Sequence, residues 1–165
     1  MKPILQSAKA KTVYRFECVD KHGNVKWVEE VPNLIVNAGL DYIHNVALLS
    51  ATQITAWYVG LTDGTPTIAA GDTLASHGGW VEVTAYSGNR KAWTGSDTGV
   101  GTGDNSASKA SFAINADGTV IGGAFLASAS SGTSGTLYGV AALAADRTAD
   151  NGDTVNVTVS TSIAN

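Results

Sequence analysis

Four side chains with acid–base potential, Asp72, His77, Glu82 and Arg90, fall close together in the chain, with Trp80, Tyr86 and Trp93 among or just beyond them. Two carboxylates held at a fixed separation can hydrolyse a glycoside, so Asp72 and Glu82 are the pair such a reaction would use. Both also have a plain structural use. An Asp just before Thr73 caps a short turn, and Glu82 and Arg90 are spaced to pair across a hairpin. The structural use is the preferred reading.

The other candidates point the same way. Asp146, Asp150, Asn151 and Asp153 offer oxygens to a calcium ion, yet their spacing departs from the EF-hand loop. Asn151-Gly152 is a turn signal in its own right. His22, His44 and His77 lie far apart and no Cys/His cluster accompanies them, so no zinc site is expected. The glycine-rich stretches match no phosphate-binding loop, dinucleotide fingerprint or nucleophile elbow. Cys18 stands alone in an alternating segment, where a small buried residue is expected rather than a reactive thiol. No catalytic residue, metal or cofactor is expected, and the chain reads as a non-enzyme. Of the four tryptophans, Trp57, Trp80 and Trp93 are those a carbohydrate-binding module would use, because sugars stack on exposed aromatic faces. Three of the four stand beside β-type apolar residues, which favours burial in a core or subunit interface.

The elements that carry these residues are mostly strands. Residues 13–19 and 25–31 alternate and are rich in Val, Tyr, Phe and Trp. Asp20-Lys21-His22-Gly23-Asn24 joins them as a hairpin connection, and Pro32 ends the hairpin. Leu34-Ile35-Val36 continues extended, and Asn37 caps a helix over 38–50 whose apolar stripe holds Leu40, Ile43 and Ala47. Further strands are expected at 57–61, 79–84, 109–114, 119–127, 137–143 and 155–159. Asn115-Ala116-Asp117-Gly118 reads as a hairpin turn, and the low-complexity segments 95–106 and 128–136 read as Gly/Ser/Thr loops. The expected fold is mainly β: an antiparallel sandwich or jelly-roll-like single domain over 13–165, with one short helix.

Composition narrows the function classes. Charged residues make up only 15% of 165 residues against 44% hydrophobic, which excludes a disordered chain. Small neutral residues, with Gly alone at 19, take the place of charge, an unusual surface for a free cytosolic enzyme. The net charge of −4 excludes a whole-domain nucleic-acid footprint. No apolar run reaches the length of a secretion signal or a membrane helix, so no membrane partner is expected. A reducing cytosol is the expected site of folding. Basic residues gather at the start, where Lys2, Lys9 and Lys11 are free of any acidic neighbour. They define an expected flexible basic arm over 1–12 that reaches a partner surface.

The order Asn33-Leu34-Ile35-Val36-Asn37-Ala38-Gly39-Leu40, Trp57-Tyr58-Val59-Gly60-Leu61, Asp72-Thr73 and His77-Gly78-Gly79-Trp80-Val81-Glu82, with Tyr86 and Arg90, resembles a group of small tailed-bacteriophage virion proteins. Gly122-Gly123-Ala124-Phe125-Leu126 and Gly152-Asp153 continue the likeness, which spans about residues 13–161. The resemblance implies a virion building block, assembled in the host cytoplasm. The first expectation is a capsid decoration, or minor capsid, protein that cements the shell. It would bind the major capsid protein through Lys2, Lys9 and Lys11 as a homo-oligomer, for instance a trimer. A tail or tail-fibre component is the alternative, and a carbohydrate-binding β-sandwich is the alternative of another class.

Overall fold

The computed structural model describes residues 7–164, which carry eleven strands, one α-helix and one short 3₁₀ turn. The strands are β1 (Lys9–Val19), β2 (Val25–Ile35), β3 (Trp57–Asp63), β4 (Val81–Glu82), β5 (Lys91–Trp93), β6 (Ser96–Gly99), β7 (Thr102–Asp104), β8 (Ala110–Ala113), β9 (Thr119–Ala127), β10 (Leu137–Ala149) and β11 (Thr154–Ala164), with α1 at Asn37–Leu48. They form one open antiparallel sheet in the order β4-β3-β9-β10-β2-β1-β11-β7-β6, with β5 beside β3 and β8 beside β11. The mainly β, sandwich-like expectation holds. Among the described residues no helix is long and apolar enough to cross a membrane.

The sheet turns on β2. Strand β1 buries every second side chain, Thr12, Tyr14, Phe16 and Cys18, as a half-buried strand must. Its hairpin with β2 closes through Asp20, whose Oδ1 accepts from the amides of His22 and Asn24, both at 2.8 Å. Pairing between β1 and β2 runs as far as Val13 opposite Pro32. Proline has no N–H to give a ladder, and there the partner changes. Asn33, Leu34 and Ile35 pair instead with Ala141, Val140 and Gly139 of β10. One strand therefore serves two halves of the sheet, and this is the way sandwich corners are made.

The halves share the larger of two buried clusters. Tyr14, Phe16, Val157 and Val159 from one half pack in the same cluster as Val59, Leu61, Leu126 and Ala141 from the other. A carboxylate helps to fix the join. Strand β10 bulges between Ala142 and Arg147, and there Glu29 of β2 accepts from the Ala144 amide at 2.7 Å and from Arg147 Nη2 at 2.8 Å. The Ala144 amide is the main favourable cause holding the Glu29 carboxyl below its ordinary range, against a partial desolvation, with Arg147 assisting.

Several expectations are corrected. The low-complexity segment 95–106 is not a loop: β6 and β7 make a hairpin there, docked on β11 with Asp104 opposite Ser160. Backbone pairing with an available strand edge overrides the poor β propensity of Gly, Ser and Asp. Asn115–Gly118 turns the chain but makes no hairpin, because β8 pairs with β11 while β9 pairs with β3 and β10. The strand expected at 79–84 shrinks to Val81–Glu82. Asn37 does not cap α1; Val36 holds that position without a side-chain bond, and the Asn37 amide donates to Ala70 O at 2.8 Å. Of the arm expected over 1–12, residues 1–6 lie outside the described residues, and Lys9–Thr12 pair with β11 from Ala164 to Thr161.

Two measurements follow from this packing. Gly122 in β9 lies against the backbone of Gly64 and Thr65, which a Cβ would strike. Gly122→Ala is expected to lower stability by about 1–3 kcal/mol, read as a shifted urea midpoint at unchanged slope. Hydrogen bonds from Asn24, and then from His22, pull the Asp20 carboxyl down to about 2 from its ordinary 3.8. A depressed acid stabilises the fold above its unfolded pKa and ceases to do so as pH falls through the folded one. The stability difference between the native chain and Asp20→Asn is therefore expected to be constant above pH 3.8 and to close as pH falls through about 2.

Candidate functional site

The sequence-proposed acid–base cluster is a structural tie. Arg90 is only 6% exposed, and its guanidinium is almost fully engaged. Nε and Nη2 donate to the two carboxylate oxygens of Glu82 at 2.8 and 2.7 Å. Nη1 donates to Ala129 O at 2.9 Å and Nη2 also to Gly132 O at 2.8 Å. The same cation lies 5.0 Å from the Phe125 ring centre. The fork geometry of arginine suits this task, binding a carboxylate side-on while reaching two carbonyls. Through it, β4 is pinned to the strandless segment 128–136. Asp72 has a separate occupation: its Oδ2 accepts from the Ala69 amide at 3.0 Å, capping the turn before it. The His77 ring stacks on Trp80 at 3.6 Å, with Nδ1 3.1 Å from Trp80 O. The structure thus joins Glu82 to Arg90 as expected, and holds Asp72 and His77 in turns of their own.

The acidic turn is likewise satisfied from within. Lys26 Nζ donates to Asp150 at 2.8 Å and to Asp153 at 2.6 Å, and Asp146 Oδ1 accepts from the Thr65 amide and hydroxyl. Among the described residues no group of three His, Cys, Asp or Glu side chains is arranged to hold a metal ion. Cys18 is buried, and burial pushes its thiol up to about 11, so little thiolate is present near neutrality. Of the proposed partner-binding lysines, Lys9 and Lys11 stand exposed at the start of β1, and Lys2 lies outside the described residues.

The feature that sequence reasoning missed is an aromatic groove. Trp57 of β3 and Trp93 of β5 are direct cross-strand partners. Tyr42 of α1 meets Trp57 edge-on at 5.2 Å, and Tyr138 of β10 does so at 5.7 Å. Trp93 Nε1 donates to Val159 O at 3.1 Å, which fixes its indole and ties β5 to β11. The Tyr42 hydroxyl accepts from the Ile54 amide at 2.9 Å. All four rings are only half-buried. Two openings meet on Tyr42, Trp57 and Trp93: one of about 520 Å³ toward the β6–β7 hairpin and the end of β11, the other of about 720 Å³ toward α1. Trp80, also proposed for sugar stacking, is 6% exposed and packs on Phe125 at 4.8 Å, so it belongs to the core. The tryptophan count signalled such a surface, but Tyr42 and Tyr138 come from elements with which Trp57 shares no local pattern.

Comparison with known proteins adds one finding. Residues 31–164 match the model of a family described as Gp80, the podophage GP4 fiber I protein gp80. No curated protein matches the sequence.

The Arg90 tie generates its own test. Arg90→Ala leaves the Glu82 carboxylate and two inward carbonyls without their donor, at a cost of about 3–5 kcal/mol. Arg90→Lys is expected to restore only part of this, because a point charge cannot fork. Thermal unfolding measures the loss, and limited proteolysis is expected to open first within 128–136.

Proposed function

The chain belongs to the family of the podophage GP4 fiber I protein gp80 and is a phage virion structural protein, and from that premise we propose that it builds the fibre rather than decorates the shell. The observation that carries the proposal is the reach of the family match, which runs from the last residues of the β1–β2 hairpin through both halves of the sheet. The family description favours the fibre over capsid decoration, which was the first expectation. Neighbouring virion proteins then take the place of the major capsid protein as partners.

The chemistry of the chain supports a structural role. Arg90, Lys26, Glu29 and Asp146 bind groups of this same domain. Both oxygens of Glu82 are taken by Arg90, and Asp72 Oδ2 caps a turn, whereas a hydrolase needs two carboxylates available to the substrate. We read the chain as a non-enzyme on that basis. Self-association belongs to the same proposal. Helix α1 buries only Gly39, and Leu48 at its end and Leu49 just beyond it stand 72% and 62% exposed. An assembled fibre would cover such apolar surface between copies.

Quantitative mass spectrometry of purified particles tests the placement. A fibre component is expected at tens of copies or fewer per particle, in step with tail symmetry, whereas a shell cement follows the major shell protein into the hundreds. Antibody-gold labelling of intact particles is expected to mark the tail end. A shell-like copy number with labelling over the whole head would return the chain to capsid decoration.

A further inference from the structure

We propose that the aromatic groove between α1, β3, β5 and the β6–β7 hairpin is a binding site for a neutral saccharide. The first ground is the state of its rings. Trp57 and Trp93 are half-exposed yet held in place: Trp57 by Tyr42 and Tyr138 edge-on, Trp93 by its Nε1 bond to Val159 O. With its one polar atom bonded inward, Trp93 has only apolar ring surface left to offer the groove. Rigid aromatic faces of this kind recognise the apolar C–H face of a sugar at little entropic cost, since no side chain has to be ordered on binding.

The second ground is the chemistry of the rim. The hairpin and the end of β11 present Ser96, Asp97, Thr102, Thr161 and Ser162 to the opening of about 520 Å³. That size falls within the roughly 300–1,000 Å³ of ordinary ligand clefts. The described residues lining either opening include no Lys, Arg or His, and Asp97 is the one ionisable group among them besides tyrosine. A phosphate, nucleotide or acidic glycan would find no countercharge there. A polyol finds hydroxyl partners and a carboxylate. Asp97 Oδ1 already accepts from the Gly99 amide at 2.9 Å, which orients the carboxylate and leaves Oδ2 for a ligand hydroxyl. Such a charge-assisted bond is stronger than one between neutral groups.

The third ground is access. Gly99, Gly101 and Gly103 line the hairpin wall, and Gly95 lies on the Trp93 ring, where a Cβ would strike it, so backbone rather than a side chain borders the indole there. Gly99 and Gly101 have φ of +151° and +65°, conformations that suit glycine.

The test uses the full chain in isolation, so its failure and that of the fibre placement are distinguishable. Intrinsic tryptophan fluorescence is titrated with neutral hexose and N-acetylhexosamine oligosaccharides, and in parallel with sialylated and phosphorylated ones. The expected result is a saturable change with one or more neutral oligosaccharides, insensitive to salt. Asp97→Asn, on an exposed hairpin, is expected to weaken that binding about tenfold by loss of the charged acceptor while leaving the unfolding midpoint unchanged. Trp57→Phe, which keeps an aromatic ring in the same contacts, is expected to weaken it less. No saturable change with any neutral oligosaccharide up to millimolar concentration would overturn the proposal. So would preferential binding of the anionic glycans, binding indifferent to both substitutions, or a fluorescence change driven by protein concentration alone, which would make the groove a contact between copies.

Discussion

The structure depends on one constraint: β2 must change partners where its ladder runs out. Pro32 cannot donate a backbone hydrogen bond, so the β1–β2 hairpin stops there and the next three residues pair with β10. A straight continuation would give an extended hairpin with one wet face. The change of partner instead folds the sheet over, and the apolar faces of its two halves meet in one core. Burial of Tyr14, Phe16 and Phe112 there, and of Phe125 in a second cluster, then supplies the dominant favourable term. Every later feature, from the β10 bulge to the groove, sits on geometry set at that crossing.

Polar side chains in this fold do the work of joining segments that the sheet does not hold. Glu29 fastens β2 to the β10 bulge, Arg90 secures the segment 128–136, and Lys26 draws the acidic turn before β11 against β2. The low charge of the chain is consistent with this use. Several of its ions, among them Arg90, Lys26, Glu29 and Asp153, are engaged within the domain, and small neutral residues and the half-exposed rings around Trp57 make up much of the rest of the surface. A virion protein packed among neighbours is suited by such a surface, because few charges must be desolvated on assembly.

What was legible in the sequence was local. Period-two alternation located β1 and β11, the Asp20–Asn24 turn and the end of the hairpin at Pro32 could be read from residue chemistry, and the Glu82–Arg90 pair followed from spacing. What was not legible was non-local. Strand β7 forms because the edge of β11 is there to pair with, and Ser96–Asp104 carries little side-chain pattern of its own. The turn at Asn115–Gly118 has hairpin residues, yet its flanking strands find other partners. The groove needed Tyr42 and Tyr138, which only the closed fold brings beside Trp57. Asn37 had a capping side chain, but the Val36 position and the Ala70 carbonyl decided how α1 begins.

A cryo-electron microscopy reconstruction of the whole particle tests the central claim, that this domain is a fibre building block, most directly. The account predicts that the folded-over sheet of residues 31–164 fits density in a fibre attached to the tail, with α1 covered by a neighbouring chain. Density for the same sheet on the outer surface of the shell, with the fibres built from another fold, would contradict it.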